Sequence, residues 1–511
     1  MNESRINKAL KNARVNFIFY FLMFFISFYS RKIFLDTLGP EFIGLAGTLQ
    51  NILQMLSLAE IGIASAVSFH LYKPIREENT AKINDLISLY GWFYRIVGFI
   101  ILGLAIIVSL FFPVIFDETT LHLGVVYFVF FCFLGSSLIS YFLNYKQILL
   151  TADQKNYVVA QYLQGGQIVK VFVQLFCCYY YCNYYLWAVI EFSFSIFACI
   201  VLNKKIKKTY PWLVSLPQRG KLLYKEYPTI IKSTKQIFIH KIKDFLLKQS
   251  DQILVFAFVS LKYVAYYNNY SLIISRVTSL CESVMNSAGA GVGNLVAEGD
   301  AKKTMKVFWE LMSMRYFVAG TISAILYFII PPFIHNWLGE EYILPQIVNI
   351  LLCLNMFISI SRITVDNFNH AYGQYADIWA AWTEGGINLT VTIVVGLYYG
   401  LAGILLGKIV SLFFIVILWK PYYLFRDGFG RNIAEYWWPV LRYVLLFIVS
   451  FAITYYISVV VALQPEENWA ALLLYALIVS TIFALSYFCL MLQFAHGFKD
   501  FLVTLIKRRR K

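Results

Sequence analysis

The sequence predicts an all-α polytopic membrane protein with about fourteen transmembrane helices, built as two six-helix bundles followed by a C-terminal helix pair. Three observations predict it. The chain is 60% hydrophobic and only 14% charged, with a mean hydropathy of +0.66, whereas soluble proteins carry about 25% charged residues. Apolar runs long enough to cross a bilayer, roughly 17 to 25 residues each, recur from "VNFIFYFLMFFISFY" at Val15 to "ALLLYALIVSTIFALSYFCLMLQF" at Ala471. The polar corner "HLYKPIREENTAKINDLI" at His70 is echoed by "GVGNLVAEGDAKKTMKVF" at Gly291. A transmembrane barrel would instead show sustained alternation in segments of about ten residues, which the chain lacks.

The basic N-terminus "MNESRINKALKNAR" leads into the first apolar run without a small-residue cleavage site, so it reads as a retained tail and not as a signal peptide. Spans follow near residues 15–35, 42–70, 86–113, 123–149, 157–182 and 184–203. A second set lies near 233–259, 263–296, 304–330, 345–370, 377–399 and 401–424, and a last pair near 437–463 and 468–495. Cationic loops translocate poorly and stay cytoplasmic. With both termini inside, roughly thirty lysines and arginines fall in inner segments, and about three (Arg31, Lys32, Lys262) lie in or near outer ones. The acidic turns "FDETT", "GEEY" and "PEEN" all fall outside.

A shift of 221 residues pairs Glu77 with Glu298, Asn79 with Asp300 and Lys82 with Lys303, and sets "EFIGLAG" at Glu41 against "KYVAYYN" at Lys262. An even number of helices per half keeps both halves in one orientation, so this is a parallel repeat with a pseudo-two-fold axis along the membrane normal. The expected division is an N-terminal bundle over 1–203, a basic cytoplasmic linker over 204–232, a C-terminal bundle over 233–430, and two further helices with a basic tail over 431–511. The linker, with "NKKIKKTYPWLVSLPQRGKLLYKE", is expected to lie against anionic headgroups.

A charge at membrane depth costs about 2.5 to 3.5 kcal/mol on insertion scales and is usually turned inward or solvated. Polar residues here fall on helical faces: Asn355, Ser359, Arg362, Asp366 and Asn369; Asn269, Arg276, Ser279, Ser283 and Asn286; His240, Asp244, Lys248 and Asp251. In the first half, Asn16, Tyr20, Ser27, Ser30 and Arg31 line one helix, and Gln50, Gln54, Ser57, Ser65 and Ser68 the next, with Glu60 on its shoulder. Each stripe also fits plain interhelical bonding, with Arg362 and Asp366 pairing at i, i+4. Taken together they suggest a wet cavity shared by the halves. Bases including Arg31, Arg95, Lys146, Lys170, Lys248, Arg276, Arg315, Arg362 and Lys408 outnumber acids at that depth. The surplus points to an anionic cargo, for which arginine forks suit phosphate oxygens.

The eight cysteines lie in or beside apolar segments, and the spacing of "CCYYYC" gives no set of four convergent ligands, so they read as small buried hydrophobes and no metal is expected. Nucleophile, phosphate-loop and H-E-x-x-H motifs are absent from the sequence, and no enzyme activity is expected.

Two six-helix halves, fourteen spans, "GNLVAEGD" at Gly293 and "RKIFLDTLGPEFIGLAGTL" at Arg31 resemble the polysaccharide transporter branch of the multidrug/oligosaccharidyl-lipid/polysaccharide exporter superfamily, the O-antigen and capsule repeat-unit flippases. The resemblance implies a monomeric multi-pass protein of a bacterial cytoplasmic membrane. It implies alternating access that carries a polyprenyl-pyrophosphate-linked oligosaccharide from the inner to the outer leaflet, coupled to a proton or sodium ion, with the last helix pair accommodating lipid. Membrane lipids and a glycan polymerase are the expected partners, no nucleic acid is, and no cofactor beyond the coupling ion. On this reading Arg31, Lys248, Arg276 and Arg362 engage pyrophosphate, and Glu60, Asp244 or Asp366 carries the ion. A peptidoglycan-precursor flippase, a drug or cation antiporter and a membrane glycan polymerase are the competing readings.

Overall fold

The computed structural model describes residues 5–57, 63–117, 119–227, 254–286, 292, 295–296, 298–374, 378–460 and 464–509. All regular elements among these residues are helical. The contacts divide the chain into two units, Met1–Ala265 and Tyr266–Lys511.

The first unit contains α1 (Arg5–Leu56), α2 (Ile63–Arg76), α3 (Thr80–Ser109), α4 (Leu123–Phe142), α5 (Asn156–Tyr181), α6 (Tyr184–Thr209) and the short α7 (Gly220–Glu226). At 52 residues, α1 is far longer than one crossing needs. Gly39, at φ 80°, and the following Pro40 break it into two spans. The Trp187 indole meets Phe34 on one side of this break and Phe42 on the other. Glu41 then accepts bonds from Thr119 Oγ1 and the Thr120 amide, each at 2.8 Å. These contacts gather the 39–41 turn, the 119–122 turn and the start of α6 at one end of the unit.

Another set of bonds gathers the opposite ends. The amides of Val214 and Leu216 donate to Asn84 Oδ1 (3.1 Å) and Ser88 Oγ (2.9 Å) of α3, Tyr145 meets Ser215 at 3.0 Å, and the Tyr210 hydroxyl donates to Asp153 at 2.7 Å. Successive spans therefore alternate in direction. Lysines and arginines at 73, 76, 82, 146, 155, 204, 205, 207, 208 and 219 collect at this second end, whereas Glu41 and Asp117 mark the first. The helix expected to stop at residue 203 runs on to Thr209, with Lys207 and Lys208 in its last turn.

The second unit takes most of α8 (Leu261–Asn286), then α9 (Ala301–Leu338), α10 (Gln346–Ser361), α11 (Ile363–Ala371), α12 (Ile378–Leu412), α13 (Ala434–Val460), α14 (Trp469–Phe494) and the tail helix α15 (Phe498–Arg509). The apolar stretch Trp382–Gly428, which includes most of α12, is 47 residues long, about twice a span. It folds back on itself at Gly400, φ 54°. The Thr392 hydroxyl donates to Ile404 O at 3.2 Å, and a Cβ placed on Gly403 or Gly407 would lie 2.3 Å from Val395 O or 2.2 Å from Thr392 Oγ1. The two arms are thus antiparallel, and Gly403 and Gly407, four residues apart, let their backbones approach.

The sequence places the end of α9 at residue 330, before Pro331 and Pro332, yet the helix continues to Leu338. A proline in a helix leaves the carbonyl four residues earlier without its amide partner. For Pro331 that carbonyl is Tyr327 O, and the Asn349 side chain of α10 donates to it at 2.9 Å. The Asn349→Leu variant is expected to lose about 1–3 kcal/mol by orphaning this buried group, read as a lower melting temperature in detergent.

Nine helical stretches among the described residues are long and apolar enough to cross a membrane. Two of them, Ile18–Leu56 at 39 residues and Trp382–Gly428 at 47, are each about two spans long and are broken at Gly39 and Gly400. The 26-residue α5 and α8 are long enough as well. The span expected at 233–259 lies largely outside the described residues.

The repeat is visible in the element starts. Leu261 follows Pro40 by 221 residues, Ala301 follows Thr80 by 221, Gln346 follows Leu123 by 223 and Ile378 follows Asn156 by 222. At the two echoed corners, Asn79 caps α3 by accepting from the Lys82 amide, and Asp300 caps α9 by accepting from those of Lys302 and Lys303. The residue before each cap is left-handed: Glu78 at φ 53° and Gly299 at φ 75°. Only glycine adopts that conformation without steric cost. Glu78→Gly is expected to stabilise the protein by up to about 1 kcal/mol, and Gly299→Ala to destabilise it by a similar amount. Thermal unfolding of the two variants checks the sign.

Candidate substrate and ion sites within the membrane

Of the seven residues expected to handle substrate or ion, four are described. Arg31 lies on α1, half-buried, with Nη2 donating to Ala265 O at 3.0 Å. Arg276 lies half-buried on α8 beside exposed Ser275 and Ser279. Arg362, at the junction of α10 and α11, donates through Nε to Asp366 Oδ2 at 2.8 Å; the two side chains are 32% and 22% exposed. Glu60, Asp244 and Lys248 lie outside the described residues. The structure brings Arg362 and Asp366 together as an i, i+4 pair, and places Arg31 in a different unit from Arg276 and Arg362.

The stripes do not share one environment. On α8, Asn269 is fully buried while Ser279 is exposed. On α10 and α11, Ser359 bonds Asn355 at 3.4 Å, and Asn369 is buried with its side chain donating to Lys420 O at 3.3 Å. On α1, Ser27 and Ser30 donate back to carbonyls of their own helix, whereas Gln50 and Gln54, one turn apart, are exposed. Exposed amides and a half-exposed arginine are poor neighbours for lipid tails. The Gln50–Gln54 face and the Ser275–Arg276–Ser279 face suit water or a polar headgroup.

Two polar clusters escape a reading of the sequence alone. Lys170 counts there among the surplus bases, but it reaches from α5 to Glu191 of α6 at 2.5 Å. Gln174, 1% exposed, donates to the other Glu191 oxygen (3.1 Å) and to Trp187 O (3.2 Å). The four-residue step from Lys170 to Gln174 was the available signal. In the α12 hairpin, Glu384, Asn388 and Thr392 recur every fourth residue and are 4%, 3% and 1% exposed, forming a buried polar seam against the glycine face of the returning arm.

The Lys170–Glu191 pair sets a clear expectation. The two side chains are 12% and 17% exposed; breaking a fully buried ion pair strands a charge at a cost of about 3–5 kcal/mol, which sets the upper limit here, and replacing both partners with apolar groups is close to neutral. Glu191→Leu alone should therefore lower the melting temperature sharply, and Lys170→Met combined with Glu191→Leu should recover most of it.

Three solved structures are similar to the chain. A lipid II flippase MurJ in an inward closed conformation matches with TM-score 0.64 at 16% identity, over 93% of this chain and 98% of that one. An inward-facing multidrug resistance MATE family transporter of the MOP superfamily matches with TM-score 0.53 at 13% identity, over 80% and 94%. A point mutant of the Vibrio cholerae MATE transporter VcmN matches with TM-score 0.51 at 12% identity, over 83% and 98%. No protein-family model matches the sequence, and no curated protein matches it by sequence. The chain has the fold these transporters share.

Proposed function

We propose that the protein is a lipid-linked oligosaccharide flippase, moving a polyprenyl-pyrophosphate-linked repeat unit from the inner to the outer leaflet of a bacterial cytoplasmic membrane by alternating access. The observation that carries the proposal is the match to a flippase over nearly the whole of both chains. The two MATE transporters match along almost their full lengths yet leave about a fifth of this chain uncovered. An added segment the size of residues 431–511 accounts for such a difference in length.

The physical problem of a flippase is the headgroup. A glycan with a pyrophosphate cannot enter hydrocarbon unaided, because each unpaired polar group costs several kcal/mol on desolvation. Arg31 and Arg276, half-buried at membrane depth, offer planar forks suited to phosphate oxygens. Lys248 and Arg362 are proposed to assist. Asp366, with Glu60 and Asp244, is proposed to take up a proton or sodium ion that biases the two-state equilibrium. The lysine-rich end of the first unit is assigned to the cytoplasm by the charge rule, with both termini on that side. No chemical transformation is assigned to the protein.

Translocation into proteoliposomes decides among the readings. Movement of a polyprenyl-pyrophosphate oligosaccharide headgroup to the far leaflet supports the proposal. Selective movement of lipid II would assign the cargo named for the flippase neighbour, and extrusion of a cationic dye with no lipid movement would make the protein an antiporter.

A further inference from the structure

The segment after α6 is more than a tether. Residues 204–226 carry seven cations (Lys204, Lys205, Lys207, Lys208, Arg219, Lys221 and Lys225) against one acid, Glu226. Its middle is stitched to the first unit at four places. Val214 and Leu216 bond α3 through Asn84 and Ser88, Ser215 bonds Tyr145, and Gly220 sits so close to Trp92 that a Cβ would lie 2.1 Å from the Trp92 Cβ. The fourth stitch is the Tyr210 hydroxyl on Asp153, an acid that Lys155 also pairs with at 2.7 Å. Burial and this bond hold the Tyr210 phenol far above its ordinary pKa, so it stays a neutral donor.

The alternation of the strap does the rest. Ile206, Tyr210, Pro217 and Leu223 pack inward, and a second set of apolar side chains is left outside: Leu222 is 65% exposed, Val214 56% and Leu216 47%, with Trp212 at 37%. Exposed Lys221 and Lys225 flank Leu222 on α7, and exposed Lys204, Lys207 and Lys208 end α6. The lipid-facing side of α3, with Ile96, Phe99 and Ile100 exposed, runs toward it. Apolar anchors between lysines at the end of a membrane span fit the boundary between acyl chains and negatively charged headgroups, where the anchors enter the leaflet and the cations meet phosphate.

We infer that residues 204–226 form a fixed docking strap for anionic phospholipid of the surrounding leaflet. A pinned strap meets that lipid with its side chains already placed, so little ordering entropy opposes binding. The inference is independent of the cargo, and a protein that fails to flip glycans can still show it.

The test uses the full-length protein in nanodiscs. Tryptophan fluorescence is measured with brominated phosphatidylglycerol or brominated phosphatidylcholine as quencher, and the Trp212→Phe variant isolates the Trp212 signal by difference. Expected is Trp212 quenching by the anionic lipid at a mole fraction about tenfold lower than by the zwitterionic one, as several nearby cations would produce. The variant with Lys204→Gln, Lys208→Gln, Lys221→Gln and Lys225→Gln, all exposed positions, should lose that preference while keeping its melting temperature. Equal quenching by the two lipids, no Trp212 quenching by either, or an undiminished preference in the quadruple variant overturns the proposal.

Discussion

Gly407→Val is expected to remove most of the folded protein, and Gly386→Ala, twenty-one positions earlier in the same long stretch, to leave it slightly more stable. A Cβ at position 407 would lie 2.2 Å from Thr392 Oγ1, 2.7 Å from the Thr392 amide nitrogen and 3.0 Å from Asn388 O. Two of those three atoms are backbone, so no rotamer change relieves the clash, and the hairpin arms must separate. Overpacking a core usually costs about 1–3 kcal/mol; separating the arms would also expose the Glu384–Asn388–Thr392 seam to lipid, which takes the expected loss above that range. In a bilayer, lipid tails solvate an opened apolar interface as well as the partner helix did, so close packing and polar contacts supply the association. Gly386 has nothing within 4 Å of its would-be Cβ and sits in a helix, where alanine is favoured by about 0.5–1 kcal/mol. Fluorescence-detected size exclusion and thermal unfolding read both variants. A Gly407→Val protein that melts at the wild-type temperature would mean that the arms do not meet in this register.

What the sequence revealed and what it withheld divide along a physical line. Span positions, the alternation of their ends and the echoed corner depend on local composition: apolar runs, basic turns, and a capping residue at Asn79 and again at Asp300. Features that depend on a partner distant in sequence were not legible. The two prolines at 331 and 332 look like a helix end until Asn349 is seen bonding the carbonyl that Pro331 leaves free. Lys170 reads as one member of a surplus of bases until α5 and α6 are packed side by side and Glu191 is seen to pair with it. For the stripe on α8, periodicity gives only which residues share a face. It does not say that the face passes from buried Asn269 to exposed Ser279. The same limit holds for the candidate site. The four-residue step from Arg362 to Asp366 was readable, but the approach of Arg31 to Ala265 O spans more than two hundred residues.

The second large effect separates the proposed substrate contact from structural bonding. Arg276→Ala is expected to slow headgroup translocation by about ten- to a hundredfold while the folded yield stays near wild type. A hydrogen bond to a charged group contributes about 1.5–3 kcal/mol, and about 1.4 kcal/mol is a factor of ten, so one lost fork on pyrophosphate gives that range. Arg276 is half-buried beside exposed Ser275 and Ser279, so alanine there opens toward a polar surface and creates no sealed cavity. Arg362→Ala should behave differently. Its guanidinium is committed to Asp366 at 2.8 Å, so the substitution leaves a carboxylate without that partner, and stability and transport should fall together. The cost should stay below that of a fully buried pair, because water reaches both side chains. Arg362→Met with Asp366→Leu should then recover stability; transport that recovers with it would mark the pair as structural, and transport that stays lost would keep Asp366 as an ion carrier. Undiminished transport by Arg276→Ala at equal protein level would remove Arg276 from the proposed pyrophosphate site and leave Arg31, with Arg362, to engage the anion.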